Sequence, residues 1–270
     1  MSDLSDQTRW LDATEQAGLV RSGQVTALEL LEAAIERIET LDPEAWGATR
    51  NPWNLAYSPG GSSGGAAAAV TSGMIPVAHA SDGSGSIRIP AACCGVVGLK
   101  PSQGRISAGP SGDESGPGVG LCISRTIRDT AAMLDAVCGP GVGDAVIAPP
   151  PGRPYVRELS AVHQWWADGY DLLLTPATGE PPAPLGVLAS DPGIPLAGSL
   201  SARYTAFTRA FNITGQPAIS LPLGWSSAGL PIGVQLVAAY GREDLLINVA
   251  AQAEQARRWT SRKPPPLKPA

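Results

Sequence analysis

Residues 58–65 read SPGGSSGG, and residues 82–90 read DGSGSIRIP. Both stretches place serine next to glycine, which allows tight turns and a close approach of the backbone to a ligand. A serine hydroxyl is a weak nucleophile unless a base lies beside it. The two stretches therefore raise two questions: whether they form one nucleophile site, and which residue is its base.

Three simpler interpretations compete with a two-serine site. A phosphate-binding loop would end in GK[ST] or read GxGxxG after a strand, and neither pattern occurs here. Residues 60–64 satisfy the GxSxG pattern of an α/β-hydrolase, but that fold places its histidine later in the chain. His79 comes too soon, and His163 lies within a predicted helix. The third interpretation is structural, with glycines forming turns and serines capping helices.

The sequence around the two clusters is long enough for a specific resemblance. Residues 60–105, GGSSGGAAAAVTSGMIPVAHASDGSGSIRIPAACCGVVGLKPSQGR, resemble the signature of the amidase signature family of serine hydrolases. The resemblance continues upstream in GATRNPWN at residues 47–54. It continues downstream in LLLTPAT, FNITGQPAISLP and PIGVQLVAAYGREDLL, which begin at residues 172, 211 and 231.

The resemblance implies a role for each serine of the two clusters. Ser86 matches the nucleophile, and Ser62 matches the serine that relays its proton, following a cis peptide bond from Gly61. Ser63 matches a serine that supports the loop by hydrogen bonding. The backbone N–H groups of Gly83, Ser84, Gly85 and Ser86 match the oxyanion hole.

Three further positions of the second cluster need separate comment. Asp82 and Arg88 match positions expected to hold the turn rather than to react, since arginine cannot act as a base near neutral pH. Ser84 departs from the family pattern, which has Gly or Ala there. Its side chain would crowd a substrate if that residue needed a positive φ.

The family's base is a lysine well before the first cluster, and this chain has none before Lys100. Lys100 matches a family position that is interpreted as structural, and Lys263 and Lys268 lie near the C-terminus. Without a base, Ser86 and Ser62 lack a proton acceptor. The resemblance thus implies an amidase-type hydrolase that cleaves amide C–N bonds but is impaired.

The resemblance also predicts the domain organisation. Residues 1–262 form a single amidase-like domain with internal deletions near residues 42–46 and 155–160, and residues 263–270 form a proline-rich tail. The first deletion removes the block that carries the family's lysine. Its loss would expose apolar surface unless a partner covers it, so a homodimer is considered.

Three functional alternatives stay open. His79, a tail lysine or a carboxylate could act as a substitute base. With a histidine base, the rate of hydrolysis would change with pH near 6–7. The chain could instead be a non-catalytic amidase remnant or a binding protein. Thirdly, a partner chain could supply the missing block.

Predicted strands alternate with predicted helices, which is typical of the α/β class. The resemblance implies a mixed β-sheet flanked by helices on both faces, here truncated. A capping box at Thr26–Glu29 begins a helix that runs to about Thr40, whose inner face is predicted to carry Leu31, Ala34, Ile35 and Ile38. We predict a loop over residues 101–120, and helices over 126–137, 155–168 and 199–211.

The composition argues against several classes of binding partner. A formal net charge of −5 offers no footprint for nucleic acid or an anionic membrane, and no apolar run is long enough to span a bilayer. The four cysteines, Cys93, Cys94, Cys122 and Cys138, lack zinc-site spacing and are expected to be buried thiols. We expect a cytoplasmic protein that needs no cofactor or metal and acts on a small-molecule amide.

Overall fold

The computed structural model describes residues 1–41, 48–109, 116–160, 171–187 and 200–266. Six strands occur within these residues: β1 Val77–Asp82, β2 Val97–Lys100, β3 Val119–Ser124, β4 Leu172–Pro176, β5 Ala218–Trp225 and β6 Pro231–Ala238. The helices of the same residues are α1 Asp3–Thr8, α2 Ala13–Arg21, α3 Ala27–Leu41, α4 Gly64–Thr71, α5 Arg88–Cys94, α6 Ile127–Val137, α7 Leu200–Thr205, α8 Arg209–Ile213 and α9 Glu243–Arg257. Two short 3₁₀ helices, Tyr155–Ser160 and Trp259–Ser261, complete the set.

The six strands form one sheet in the order β1-β3-β2-β5-β6-β4. Helices and strands alternate as the α/β class requires, so that prediction is confirmed. All five strand pairings in the described chain are antiparallel, whereas a mixed sheet is expected. The difference arises because β3 lies between β1 and β2, and so separates two strands that run in the same direction.

Helices cover the sheet in two groups. Helices α4 and α5 pack on each other and on strands β1, β2, β5 and β6, while α6 and α9 pack on each other and on β2, β3, β5 and β6. Helix α5 lies close to β2, because a Cβ at Gly98 would stand 2.7 Å from the Cβ of Ala91 and 3.0 Å from the Ile87 carbonyl. The main apolar core lies between these helices and the sheet and includes Ile87, Leu99, Ile123, Leu134 and Leu246.

Helix α3 forms where the sequence predicts it, but the predicted inner face is wrong. The capping box is present, since Glu29 N donates to Thr26 Oγ1 (3.2 Å) and Thr26 N donates to Glu29 Oε2 (2.7 Å). Leu31, Ile35 and Ile38 are nevertheless exposed at 57%, 45% and 41%. The helix buries Ala33 and Arg37 instead, because the hydrogen bonds of Arg37 draw that face onto α1 and Met74.

Three other expectations differ from the structure. The predicted loop over 101–120 contains the start of β3, a central strand whose apolar run lacks alternation. The helix predicted over 155–168 begins as the 3₁₀ helix Tyr155–Ser160, and residues 161–168 lie outside the described residues. The helix predicted over 199–211 is two helices, α7 and α8. The Thr208 carbonyl, between them, accepts a hydrogen bond from Arg88 (3.0 Å).

No helix among the described residues is both long enough and apolar enough to cross a bilayer.

Candidate active site

The turn between β1 and α5 is organised around the carboxylate of Asp82. This side chain is fully buried at the end of β1. It accepts hydrogen bonds from the backbone N–H groups of Gly85 (2.6 Å) and Ile87 (3.2 Å), two residues that flank Ser86. A buried carboxylate with several donors fixes the backbone around it. Asp82 therefore fixes the turn that carries Ser86, as the resemblance implies.

Arg88 closes the same turn from its other end. Its Nε lies 2.9 Å from Asp82 Oδ2, its Nη2 lies 2.9 Å from Asp82 Oδ1, and both side chains are fully buried. Burial alone would raise the pKa of Asp82, but the Arg88 guanidinium and the donors around the carboxyl outweigh burial and lower it. The carboxylate is therefore ionised at neutral pH and paired on two atoms.

Residues from the C-terminal part of the chain complete this network. Arg88 Nη1 donates to Gln235 Oε1 (2.8 Å) on β6, and Asn212 Nδ2 on α8 donates to the carbonyl of Asp82 (2.8 Å). Thr208 Oγ1 donates to the Ser84 carbonyl (2.8 Å). Sequence reasoning did not single out Thr208, Asn212 or Gln235. The last two lie in stretches that carry the family resemblance, which was the available signal.

Gly85 is required at its position for two reasons. Its φ is +127°, a backbone conformation that residues with a Cβ rarely adopt. A Cβ there would also lie 2.4 Å from Thr208 Oγ1 and 2.6 Å from Ile89 Cδ1. Ser84 is not among the residues with positive φ, so the expected conflict at that residue does not arise.

The first serine cluster lies beside this turn. The peptide bond between Gly61 and Ser62 is cis, as the resemblance implies. Ser63 Oγ lies 3.4 Å from both the backbone N and the carbonyl O of Ser81, the residue that precedes Asp82 on β1. Ser63 thus connects the two clusters, which is the supporting position that the resemblance gives it.

The two serines that match the expected nucleophile and relay positions are at least partly accessible. Ser62 is exposed, and Ser86 is half-buried between buried Gly85 and Ile87. In the part of the chain that the structure describes, neither hydroxyl forms a hydrogen bond. The two clusters are therefore adjacent through Ser63, and no hydrogen bond joins Ser86 to Ser62, as the expected proton relay would require.

The expected oxyanion donors divide into two groups. The N–H of Gly85 donates to Asp82 Oδ1, so it points into the protein rather than toward a substrate. Within the described ranges, the N–H groups of Gly83, Ser84 and Ser86 have no recorded backbone partner. These three N–H groups are free to donate to an oxyanion, whereas the N–H of Gly85 stabilises the turn.

Lys100, at the end of β2, is the lysine whose pKa would best suit a base. Its side chain is fully buried, and Nζ donates to the carbonyl of Pro101 (2.8 Å). Burial and the positive charge of Arg88 lower the pKa of Lys100 to about 7, against the opposing influence of Asp82 and Glu243. Its ammonium is thus electrostatically coupled to the Asp82–Arg88 network rather than exposed to a ligand.

The other candidate bases lie elsewhere. Exposed His79 lines a cavity of about 500 Å³ together with residues such as Ile106 and Met133, and neither Ser62 nor Ser86 lines that cavity. Lys263 Nζ lies 4.5 Å from the ring centroid of Trp10, in a cation–π contact. Lys268 lies outside the described residues.

The described residues contain no group of three or more His, Cys, Asp or Glu side chains that could hold a metal ion. The cysteines are free thiols, of which Cys93, Cys94 and Cys122 are buried and Cys138 is partly buried. Burial raises the pKa of Cys93 to about 12, so this thiol is inert at neutral pH.

Comparison with known proteins places this geometry in context. The family profile described as Amidase matches residues 35–164 and 153–247. A 6-aminohexanoate-cyclic-dimer hydrolase of Pseudomonas sp. (strain NK87) is 35% identical over 382 aligned positions, which cover 94% of this chain and 76% of that protein. Its namesake from Paenarthrobacter ureafaciens is 35% identical over 359 positions, which cover 85% and 73%. The solved structure of 6-aminohexanoate cyclic dimer hydrolase complexed with substrate superposes with a TM-score of 0.87 at 29% identity, covering 96% of this chain and 100% of that one.

Proposed function

Since the chain belongs to the amidase family, we propose that it hydrolyses amide C–N bonds with Ser86 as the nucleophile. Ser86 Oγ attacks the carbonyl carbon as its proton passes to Ser62 Oγ, and Ser62 gives its own hydroxyl proton to the amide nitrogen. The C–N bond then breaks and the amine leaves, which forms an ester between the acyl group and Ser86. Water adds to the ester carbon, the bond to Ser86 Oγ breaks, and the relay runs in reverse to return a proton to Ser86 Oγ. The N–H groups of Gly83, Ser84 and Ser86 stabilise the oxyanion, an effect worth about 3–4 kcal/mol per donor.

One observation carries this proposal. The buried Asp82–Arg88 pair fixes the turn that bears Ser86, and the Ser63–Ser81 contact holds Ser62 beside it. A nucleophile on a rigid turn is held near its reactive geometry before the substrate arrives. A purely structural glycine turn would not need a half-buried serine whose own N–H group, like those of Gly83 and Ser84, has no backbone partner among the described residues.

We further propose that the rate is impaired. No lysine precedes Ser62. Of the described candidates, Lys100 is buried, His79 lines a cavity that neither serine lines, and Lys263 contacts Trp10. Loss of one member of a catalytic relay leaves a rate that is lower by roughly 10³-fold or more. The family profile matches in two segments, which overlap at residues 153–164. This supports the predicted internal shortening near residues 155–160. The alignment of 382 positions to a chain of 270 residues also supports internal shortening.

The names of the relatives suggest the substrate class. Both curated relatives are named for hydrolysis of the cyclic dimer of 6-aminohexanoate. We propose a small linear or cyclic amide of this kind as the substrate.

The test is hydrolysis of the cyclic dimer and of a linear aryl amide by the full chain and by Ser86→Ala. Ser81→Ala is the matched control, because it removes an exposed serine hydroxyl from the neighbouring strand. We expect slow turnover that disappears in Ser86→Ala and persists in Ser81→Ala. Turnover that survives in Ser86→Ala would overturn the assignment of the nucleophile.

The missing lysine favours a second candidate function, an amidase remnant that binds amides without turnover. In that case, calorimetry would detect binding of the cyclic dimer to the folded chain, and no amine would be released. Fast turnover with a pH limb near 6–7 would instead indicate a histidine base and would contradict the proposed impairment.

A further inference from the structure

Helix α3 presents its aliphatic side chains outward. Leu28, Leu31, Ile35 and Ile38 are exposed at 62%, 57%, 45% and 41%. They follow one another at spacings of three and four residues, so they form a single stripe along the helix. We call these four residues the α3 stripe. A surface helix of a globular protein ordinarily turns such a stripe toward the core, so this orientation is inverted.

Polar contacts on the opposite side of the helix hold it in this orientation. Buried Arg37 donates from Nε to the Met74 carbonyl (2.9 Å) and from Nη1 to the Ser5 carbonyl (3.1 Å). Ser5 Oγ donates to the Ala33 carbonyl (3.2 Å). Rotating the stripe inward would break these bonds and leave buried polar groups unpaired, which is costly. The stripe is therefore fixed outward.

The charges beside the stripe indicate what can cover it. Glu32 and Glu39 each follow a stripe residue, at the helix positions that set partner choice in coiled coils. No described residue forms an ion pair with either, whereas Glu29 binds Thr26 and Glu36 binds Ser2. The edge of the stripe thus carries two negative charges.

The α3 helix of a second copy does not complement that edge. It offers the same glutamates, and the one arginine of the helix, Arg37, is buried. The chain is also acidic overall, with a net charge of −5. Pairing two such faces leaves the glutamates unpaired or opposed to each other, which is destabilising.

We infer that the α3 stripe is the docking surface for an amphipathic helix of a separate polypeptide. That helix carries leucine or isoleucine at heptad spacing and lysine or arginine beside them. Its apolar residues cover Leu28, Leu31, Ile35 and Ile38, and its cations pair with Glu32 and Glu39. The inference does not depend on the proposed hydrolysis, because binding is measured directly.

The probes are three labelled peptides of about 21 residues, or three heptads. The first carries Ile and Leu at the core positions and Lys at the flanking positions, where mutual repulsion keeps it from pairing with itself. The second replaces these lysines with Glu, and the third has the composition of the first in scrambled order. We expect the full-length chain to bind the Lys peptide about tenfold more tightly than the Glu peptide and not to bind the scrambled one.

Variants of the chain then separate the two kinds of contact. The double variant Glu32→Lys with Glu39→Lys should reverse the preference between the Lys and Glu peptides. The double variant Leu31→Asp with Ile35→Asp should weaken both by more than about tenfold. Val142→Asp is the matched control, because Val142 is a fully exposed aliphatic residue in a turn outside α3.

Four outcomes would overturn the inference: no binding of the Lys peptide, equal binding of the Lys and Glu peptides, no effect of the stripe substitutions, or an equal effect of Val142→Asp. Sedimentation of the chain alone provides a further test. A dimer that Leu31→Asp dissociates would show that a second copy covers the stripe.

Discussion

Asp82 and Arg88, six residues apart, form a fully buried two-point ion pair that encloses the turn bearing Ser86. The pair has additional hydrogen bonds from Asn212 and to Gln235, so most of its polar atoms are satisfied. A buried pair of this kind contributes little net stability compared with apolar residues, but breaking it leaves an uncompensated charge. Its effect is to fix one geometry of the turn.

We therefore expect Asp82→Asn to reduce the free energy of unfolding by about 3–5 kcal/mol, because Arg88 keeps its charge in a buried site. Urea denaturation measures this loss. The matched control is Glu180→Gln, which breaks an exposed pair with Arg203 (3.4 Å; side chains 39% and 67% exposed) and should cost about 0–1 kcal/mol. Equal losses in the two variants would contradict the structural role given to Asp82.

Gly85→Ala tests the backbone of the turn. A φ of +127° and a Cβ position 2.4 Å from Thr208 Oγ1 make the new side chain strained and crowded. We expect a loss of about 1–3 kcal/mol in the free energy of unfolding.

Gly83→Ala provides the comparison within the same turn. A Cβ at Gly83 meets nothing within 4 Å, and its φ is not positive. Its stability should change by less than about 0.5 kcal/mol. If Gly83→Ala proved the more damaging substitution in chemical denaturation, the assignment of Gly85 as the constrained glycine would be wrong.

The local part of the site could be predicted from the sequence, because its members lie in one short segment. Asp82, Arg88 and the serines between them occur within seven residues, so a motif can represent their contacts. Asn212 and Gln235 reach Arg88 from 124 and 147 residues away, and no spacing rule relates residues at such distances. Their pairing depends on the order of the strands in the sheet.

Helix α3 shows a different limit. Its periodicity predicts a helix with one apolar face, and the structure confirms the helix. Periodicity does not state which face meets the protein, because that choice depends on the partners available. Here the hydrogen bonds of Arg37 to the Met74 and Ser5 carbonyls decide the orientation.

Glu254 on α9 is expected to make stability fall with rising pH. Burial raises its pKa from 4.5 to about 7, and the nearby carboxylates of Asp12 and Asp129 add to this increase. Between pH 4.5 and 7, the folded chain binds a proton that the unfolded chain has lost, so folding becomes less favourable as pH rises. Glu254→Gln should match the wild type near pH 5 and be more stable at pH 7.5. Urea midpoints at the two pH values measure the difference, and a variant less stable than the wild type at pH 7.5 would refute the burial argument.

Lys100 is expected to have the opposite effect above neutral pH. Burial and Arg88 lower its pKa from 10.5 to about 7, so from pH 7 upward the unfolded chain holds a proton that the folded chain has lost. Stability therefore rises with pH from about 7 toward 10.5, and the cost of charging the buried amine is fully present below 7. Lys100→Met, which removes the amine and keeps the aliphatic chain, should abolish that rise.

The measurement is the difference in unfolding free energy between Lys100→Met and the wild type from pH 7 to 8.5. Higher pH is avoided, because burial raises the pKa of Cys93 and Cys122 to about 12, and their unfolded thiols ionise near pH 9 and reverse the slope. Lys263→Met is the matched control, since Lys263 is exposed beside Trp10 and should leave the slope nearly intact. We expect the advantage of Lys100→Met to shrink steadily as pH rises. An advantage that stays constant over this range would mean that Lys100 remains charged in the folded chain, with its charge held by Asp82 and Glu243.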